Sequence, residues 1–264
     1  MTVTIHDLAQ WRARGQKFAM VTAYDALSAR IVDDAGIPLI LVGDSVSNVL
    51  LGYATTVQVT MDEMLHHARA VARGSRDALL VGDLPFGSYQ TSVEDAIRNA
   101  SEFLRVGMHC VKLEGGGQPS IDVVRALVDR GIPVMGHLGL TPQSVNALGG
   151  YKVQGRGDAG EQLLADAHGL AEAGAFSMVL ECVPAELGRR VTDEVGVPTI
   201  GIGAGPHTDG QVLVLHDLLG LTPGPSPRFV KRYADLASKM SDALQLFAKE
   251  VAEGAYPTDA QSYR

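Results

Sequence analysis

Leu39-Ile40-Leu41-Val42-Gly43-Asp44-Ser45 is the stretch on which the reading of this chain turns. Four large aliphatics in an unbroken run read as a strand buried on both faces, and the run is too short to suggest a helix. Its carboxyl end delivers an acid and a hydroxyl. The same grammar recurs at Ala78-Leu79-Leu80-Val81-Gly82-Asp83, Cys110-Val111-Lys112-Leu113-Glu114, Val134-Met135-Gly136-His137 and Met178-Val179-Leu180-Glu181. If these strands are parallel neighbours, five segments aim ionisable groups at one rim, where parallel α/β proteins keep their chemistry. Each acid taken alone suits a helix N-cap equally well. Five coincident strand ends favour a site.

The connectors repeat as well. Ala35-Gly36-Ile37-Pro38, Arg130-Gly131-Ile132-Pro133 and Val195-Gly196-Val197-Pro198 each stop a helix and start a strand, with Val106-Gly107 and Ala173-Gly174 as looser copies. A glycine past a helix end adopts the left-handed turn cheaply, and the following proline cannot continue the helix. Start signals precede the helical patterns: Thr4 with Asp7, Thr60 with Glu63 and Thr91 with Glu94 are spaced as capping boxes. The spacing predicts helices over Thr4–Arg14, Asp25–Ala35 (Ile31, Val32 and Ala35 inward), Ser120–Arg130, Glu161–Ala173, Pro184–Val195 and Phe229–Val251. Strands centre on Phe18, Leu39, Leu79, Val111, Val134, Val179, Ile200 and Leu213. Eight strands separated mostly by helices predict a closed (β/α)8 TIM barrel, as one domain over residues 1–264 with an N-terminal helix and a long C-terminal helix.

Composition narrows the function classes. In 264 residues, 22 basic and 30 acidic side chains leave a net charge of −8, with no basic patch for nucleic acid. No run approaches the ~20 apolar residues that cross a bilayer, and the N-terminal stretch is too polar for a signal peptide. Cys110 and Cys182 fall in or just after predicted buried strands, which fits packing in a reducing, cytoplasmic setting. Gly201-Ile202-Gly203-Ala204-Gly205 imitates a dinucleotide fingerprint, but its third glycine would fall at Pro206 and no long helix follows. Two connections, Val46–Gln58 and Thr141–Asp158, are long enough for lids, binding loops or oligomer contacts.

Asp44, Asp83 and Glu114 form an oxygen-only donor set suited to Mg2+, whereas the eight histidines are scattered and do not make a zinc site. Lys112 and Glu114 alternate on one strand, so the ammonium can meet a substrate anion beside the metal-facing acid. A structural ion pair explains Lys112 equally well. Glu181 suits the general base of a carbanion reaction on a metal-bound 2-oxo acid, or, more plainly, an acid at a helix start. His137 reads as a satisfied barrel histidine with a minor role.

Val42-Gly43-Asp44-Ser45, Asp83-Leu84-Pro85-Phe86, Val111-Lys112-Leu113-Glu114-Gly115-Gly116, Gly136-His137-Leu138-Gly139-Leu140-Thr141-Pro142-Gln143-Ser144-Val145-Asn146, Gly155-Arg156-Gly157-Asp158 and Gly201 to Gly205 together resemble the ketopantoate hydroxymethyltransferase family over nearly the whole chain. The resemblance implies a barrel of the phosphoenolpyruvate/pyruvate superfamily. It implies transfer of a hydroxymethyl unit from 5,10-methylenetetrahydrofolate, as co-substrate, to 3-methyl-2-oxobutanoate. The product is ketopantoate, for pantothenate biosynthesis, formed through a Mg2+-stabilised enolate. Matched by motif, Asp44 and Asp83 bind Mg2+ with Glu114 completing or supporting its shell. Asp44, Ser45, Asp83 and Lys112 surround the 2-oxo acid, and Glu181 is the proton acceptor. A homo-oligomer, a decamer by the resemblance, is implied too. Ser47-Asn48 depart from the Gly-Met expected in many relatives, which bears on loop packing. The competing readings are a sister Mg2+-dependent C–C lyase or mutase acting on a 2-oxo acid without folate, and a non-catalytic scaffold, which leaves the convergent acids unexplained.

Overall fold

The structure, a computed structural model, describes residues 2–263. Its chain divides into two compact units, one up to Val214 and one from Leu215 onward. The first is an eight-stranded closed barrel in which every neighbouring pair is parallel: β1 (Phe18–Thr22), β2 (Leu39–Val42), β3 (Leu79–Asp83), β4 (Cys110–Lys112), β5 (Val134–Gly139), β6 (Ser177–Glu181), β7 (Thr199–Ile202) and β8 (Gly210–Leu213). All eight expected strand centres lie in these strands.

Helix α1 (Ile5–Ala13) precedes β1 and α2 (Ala26–Asp34) follows it; the short α3 (Val46–Val49) and α4 (Met61–Gly74) follow β2. Then come α5 (Val93–Arg105) after β3, α6 (Gly117–Val128) after β4, the single turn α7 (Val145–Leu148) and α8 (Asp158–Glu172) after β5, and α9 (Ala185–Glu194) after β6. No helix joins β7 to β8, as the glycine-rich connector predicts. The Thr60–Glu63 capping box forms, and α4 buries Met64, Leu65, Ala68 and Val71. At α5 the cap shifts by one residue: the Ser92 hydroxyl accepts from Asp95 N–H, while Thr91 bonds the Asp95 carboxylate. On α2 the expected inward face is rotated. Ala29 and Val32 are buried, whereas Ile31 is 61% exposed and Ala35 lies outside. Four of the five helix-stopping glycines, Gly36, Gly107, Gly131 and Gly174, adopt positive φ; Gly196 does not, because Val195 ends α9 in an extended conformation.

Strand periodicity builds the core. Phe18 and Met20, Leu39 and Leu41, Leu79 and Val81, Cys110, Met135, Val179, Ile200 and Val212 form one buried cluster with Leu8 of α1. On four strands the same inward face, continued by two residues or four, arrives at Asp83, at Lys112 and Glu114, at His137 and at Glu181. Helix α1 closes the opposite end. Trp11 packs on Phe18, and the Arg12 guanidinium donates to the carbonyls of Thr192, Val195 and Val197.

The second unit holds α10 (Leu215–Leu218) and α11 (Leu236–Ala252). The long helix begins at Leu236 rather than at Phe229, with Asp235 as its cap. Met240, Leu244, Phe247 and Val251 form a stripe along α11, 49–66% exposed, and no α11 residue is buried. Among the described residues no helix is long and apolar enough to cross a membrane.

One strand junction carries a titratable lock. His109 Nδ1 accepts Leu80 N–H at 3.0 Å, and burial pushes the imidazole pKa below its ordinary 6.5. The folded state therefore wants neutral His109. This contribution is present above about pH 6.5 and is lost as pH falls through the lower folded value, because the unfolded chain takes the proton first. His109→Asn keeps an acceptor without a titration, so melting curves taken from roughly pH 7.5 down to pH 5 should fall less steeply for the variant than for the native chain. Parallel curves would remove His109 from the acid response.

Candidate active site

At the carboxyl rim of the barrel the strand register brings four expected residues together. Asp83 and Lys112 are partners across β3 and β4, and Lys112 Nζ lies 2.7 Å from Asp83 Oδ1. Glu114 Oε1 is 3.9 Å from the same ammonium. Asp44 arrives by a different route: Gly43 ends β2, and the Asp44 backbone N–H donates to Asp83 Oδ2 at 3.0 Å. All four side chains are buried.

Three buried carboxylates around one ammonium is an unbalanced charge. Burial, then the neighbouring Asp83 and Glu114 charges, raise the Asp44 pKa well above the carboxylate range. Burial likewise raises that of Asp83, against the pull of Lys112. Burial works against the Lys112 ammonium, but Asp83, Glu114 and Asp44 outweigh it and hold the charge. Burial opposes the Glu114 charge as well; His137 and Lys112 still bring its pKa below the ordinary value.

His137 stands between this cluster and Glu181. Its Nδ1 is 3.3 Å from Glu114 Oε1 and its Nε2 is 3.3 Å from Glu181 Oε2. Burial and Lys112 disfavour its charge, yet the two glutamates win and lift its pKa to about 9. His137, expected to be a satisfied barrel histidine with a minor role, thus reaches both Glu114 and Glu181.

Glu181 is partly exposed. Its backbone is held tightly. The Glu181 carbonyl accepts Leu140 N–H at 2.8 Å, and the next residue, Cys182, is the one non-glycine with positive φ (47°) among the described residues. Such a conformation costs about 1–3 kcal/mol and persists where the surroundings enforce it. Here Cys182 N–H donates to Ile202 O, and Cys182 O accepts Gln154 N–H from the loop after β5.

Ser45 is half-buried, its hydroxyl 2.8 Å from the Tyr24 hydroxyl. Ser47 and Asn48, the departures from the family pattern, tie the loop to itself: Ser47 Oγ donates to Thr55 O and Asn48 Nδ2 to Tyr53 O. Tyr24, Tyr89 and Gln143 were not singled out from sequence, although all belong to the site. Tyr89 O–H bridges the Glu114 backbone and the Gln143 side chain, and Gln143 bonds both Asp44 and Glu114. The only signal for Gln143 was its position in the Thr141-Pro142-Gln143-Ser144 run directly after a strand that ends at the rim.

Asp44, Asp83 and Glu114 share one cluster, but among the described residues no three His, Cys, Asp or Glu side chains are gathered as a ready metal cage. The donor set still fits a hard divalent cation. Its oxygens are buried, its acids outnumber its cation, and a Mg2+ site commonly takes only one or two carboxylates and completes its shell with water or substrate. Glu114 has both oxygens in use, one near His137 and Lys112 and one on Gln143 N–H, which suits a supporting place better than a direct one.

A family model described as ketopantoate hydroxymethyltransferase matches residues 2–259. The chain is 56% identical to the 3-methyl-2-oxobutanoate hydroxymethyltransferase of Moorella thermoacetica, covering 99% of this chain and 98% of that one. It is 54% identical to the enzyme of the same name from Carboxydothermus hydrogenoformans, over 99% and 95%. Similar solved structures include a phosphonopyruvate hydrolase complexed with oxalate and Mg2+ (TM-score 0.62, 13% identity, 99% of this chain and 92% of that one). Another is a 2,3-dimethylmalate lyase of the PEP mutase/isocitrate lyase superfamily (TM-score 0.61, 16% identity, 100% and 93%). At such identities these structures support the barrel fold alone.

Gly139 tests how firmly the Glu181 backbone is held. It has φ +95°, and a Cβ there would lie 2.2 Å from the Glu181 carbonyl oxygen and 2.7 Å from Val183 Cγ1. Gly139→Ala should lower the melting temperature by several degrees, since the left-handed backbone alone costs about 1–3 kcal/mol. Turnover should fall further than the folded fraction. A variant with native melting and native kcat would show that the β5–β6 rim tolerates displacement.

Proposed function

The chain belongs to the ketopantoate hydroxymethyltransferase family, and from that premise we propose that it transfers a one-carbon unit from 5,10-methylenetetrahydrofolate to 3-methyl-2-oxobutanoate, giving ketopantoate, in the cytoplasm. That it is a hydroxymethyltransferase rests on its relatives. The folate donor is the one the family resemblance implies, and the mechanism rests on the site. The observation that carries the mechanism is the buried Asp44, Asp83, Glu114 and Lys112 cluster with Glu181 beyond His137 on the same rim.

Asp44 and Asp83 would hold Mg2+, with Glu114 supporting its shell. Bound there, the ion supplies Lewis-acid polarisation of the keto group and so acidifies the C3 hydrogen. Asp83 would then no longer depend on Lys112 as its counter-ion, freeing the ammonium for the substrate carboxylate. Ser45, fixed by Tyr24, offers that substrate a hydroxyl. Glu181 takes the C3 proton, and C3 forms the new carbon–carbon bond to the methylene carbon as its two carbon–nitrogen bonds to the folate break; water supplies the product hydroxyl, and its other proton and the one taken from C3 end on the two folate nitrogens, releasing tetrahydrofolate. His137 lies 3.3 Å from the Glu181 carboxylate and orients it toward the substrate. A folate-free lyase or mutase would share the metal and the 2-oxo acid; the family match favours the transferase.

Proton abstraction can be separated from group transfer. With Mg2+ and without folate, the native enzyme should exchange the C3 hydrogen of 3-methyl-2-oxobutanoate for deuterium from the solvent, followed by NMR. Glu181→Gln should slow that exchange by about 10²–10⁴-fold while the 2-oxo acid still binds. Exchange at the native rate in the variant would reassign the base, with His137 next in line.

We also propose a homo-oligomer, a decamer by the resemblance. The exposed Met240, Leu244, Phe247 and Val251 stripe supports it, because an unpartnered apolar face of this length on a stable helix invites burial against another copy. Light scattering should give a mass several times that of one chain, and Leu244→Glu with Phe247→Glu should reduce it. A native chain that runs as a monomer would end this reading.

A further inference from the structure

Gln143 is the neutral residue at the centre of the acid cluster. It lies in the single turn Pro142–Ser144 after β5 and is 4% exposed. Its amide nitrogen donates to Asp44 Oδ2 at 3.1 Å and to Leu84 O at 2.9 Å. Its amide oxygen accepts from Tyr89 O–H at 2.8 Å and from Gln90 Nε2 at 3.1 Å. Its backbone N–H donates to Glu114 Oε2 at 3.0 Å. One residue thus grips an oxygen of each of two metal-facing acids, with all four amide positions satisfied.

The amide can point only one way. Leu84 O and the Asp44 carboxylate accept, so the nitrogen must face them. On the other side, the Gln143 oxygen accepts from Gln90 Nε2 at 3.1 Å and lies 2.8 Å from the Tyr89 hydroxyl, which also has the Glu114 carbonyl within reach at 3.0 Å. A flipped amide would set an oxygen against two buried acceptors, each deprived of its donor. Leu84 on one side and Gln90 and Tyr89 on the other therefore hold Gln143, and Gln143 holds Asp44.

The chemistry of the residue matters as much as its reach. A lysine or arginine here would neutralise Asp44 and compete with a cation for it. An apolar side chain would leave the carboxylate free to rotate. An amide holds the oxygen in place without adding a positive charge that would compete with a cation. Mg2+ demands near-ideal geometry at about 2.0–2.1 Å, whereas Ca2+ tolerates irregular sites at about 2.3–2.6 Å. Rigid carboxylates therefore favour the smaller ion.

We propose that Gln143 is a positioning residue for the divalent cation: by fixing the Asp44 and Glu114 carboxylates it sets the preference of this site for Mg2+ over Ca2+. The inference rests on the metal reading given under the proposed function. It also makes the loop after β5 part of the metal support rather than only a cover over the substrate.

Calorimetric titration of the folate-free protein with Mg2+ and, separately, with Ca2+ tests it without reference to turnover. Gln143→Met keeps the bulk and removes the amide. It should weaken Mg2+ binding by about 10–100-fold, the usual loss when a partner of a metal ligand is removed, and Ca2+ binding by much less. The Mg2+ to Ca2+ preference should then fall by about tenfold or more. A merely structural role would reduce the folded, binding-competent fraction and lower both affinities equally, leaving the ratio unchanged. Tyr89→Phe, which releases the amide while leaving Gln143 in place, should shift the ratio in the same direction by a smaller factor and decides the matter if Gln143→Met does not fold. An unchanged ratio in the folded variants overturns the role of Gln143. A native chain that binds neither ion overturns the metal reading itself, and this inference with it.

Discussion

Three carboxylates buried beside a single ammonium are the constraint on which the upper half of this barrel depends. A buried ion pair recovers its desolvation only where geometry is tight and every remaining lone pair finds a donor. The rim meets that condition in part, with Asp83 Oδ1 reached only by the Lys112 charge. Asp83 takes Lys112 and the Asp44 N–H; Glu114 takes the Gln143 N–H and approaches His137; Asp44 takes the Gln143 amide. Most of these donors are backbone groups or neutral side chains. They stabilise the oxygens without cancelling the charge, so the cluster keeps a deficit of positive charge that a divalent cation can fill.

The barrel is what makes such a cluster possible. Its interior is layered by strand periodicity, and the lower layers are closed by Phe18, Met20, Leu39, Leu79, Met135 and the α1 plug around Leu8. Water is thereby kept from one end of the cluster. The polar layer begins where the apolar layers stop, one or two strand steps further along β3, β4, β5 and β6. Register then decides neighbours: Asp83 meets Lys112 because Val81 meets Cys110 two residues earlier.

This layering explains what could be read from sequence and what could not. Strands announce themselves by short apolar runs, and their terminal acids follow in phase, so Asp83, Lys112, Glu114 and Glu181 were legible. Asp44 was legible too, although the Gly43 turn brings it in out of phase. Gln143 and Tyr89 were not, because an uncharged residue in a loop carries no periodic signal and acquires meaning only from the groups that surround it. Ile31 was misplaced for a related reason. The period on α2 marks a face by hydrophobicity alone, and an exposed isoleucine is indistinguishable in sequence from a buried one. The early start assigned to α11 has the same origin, since an apolar pattern runs from Phe229 through Tyr233 although the helix starts only at Leu236.

The two ends of the site are held by different means, and the difference suits the tasks proposed for them. Around Asp44, Asp83 and Glu114 the acids are fixed by ion pairs and hydrogen bonds, the arrangement expected of groups that would receive a cation. A general base cannot be fixed in that way without loss, because each strong donor on its carboxylate lowers its appetite for a proton. Glu181 is positioned instead through its backbone. Gly139 lets β5 approach the Glu181 carbonyl, and Cys182 adopts a left-handed conformation that turns the chain directly after it. Cys182 is anchored on one side by Ile202 and on the other by Gln154 of the loop that also carries Gln143. The backbone bears the strain, and the Glu181 carboxylate meets His137 Nε2 at 3.3 Å through one oxygen, while His137 Nδ1 meets Glu114 at 3.3 Å.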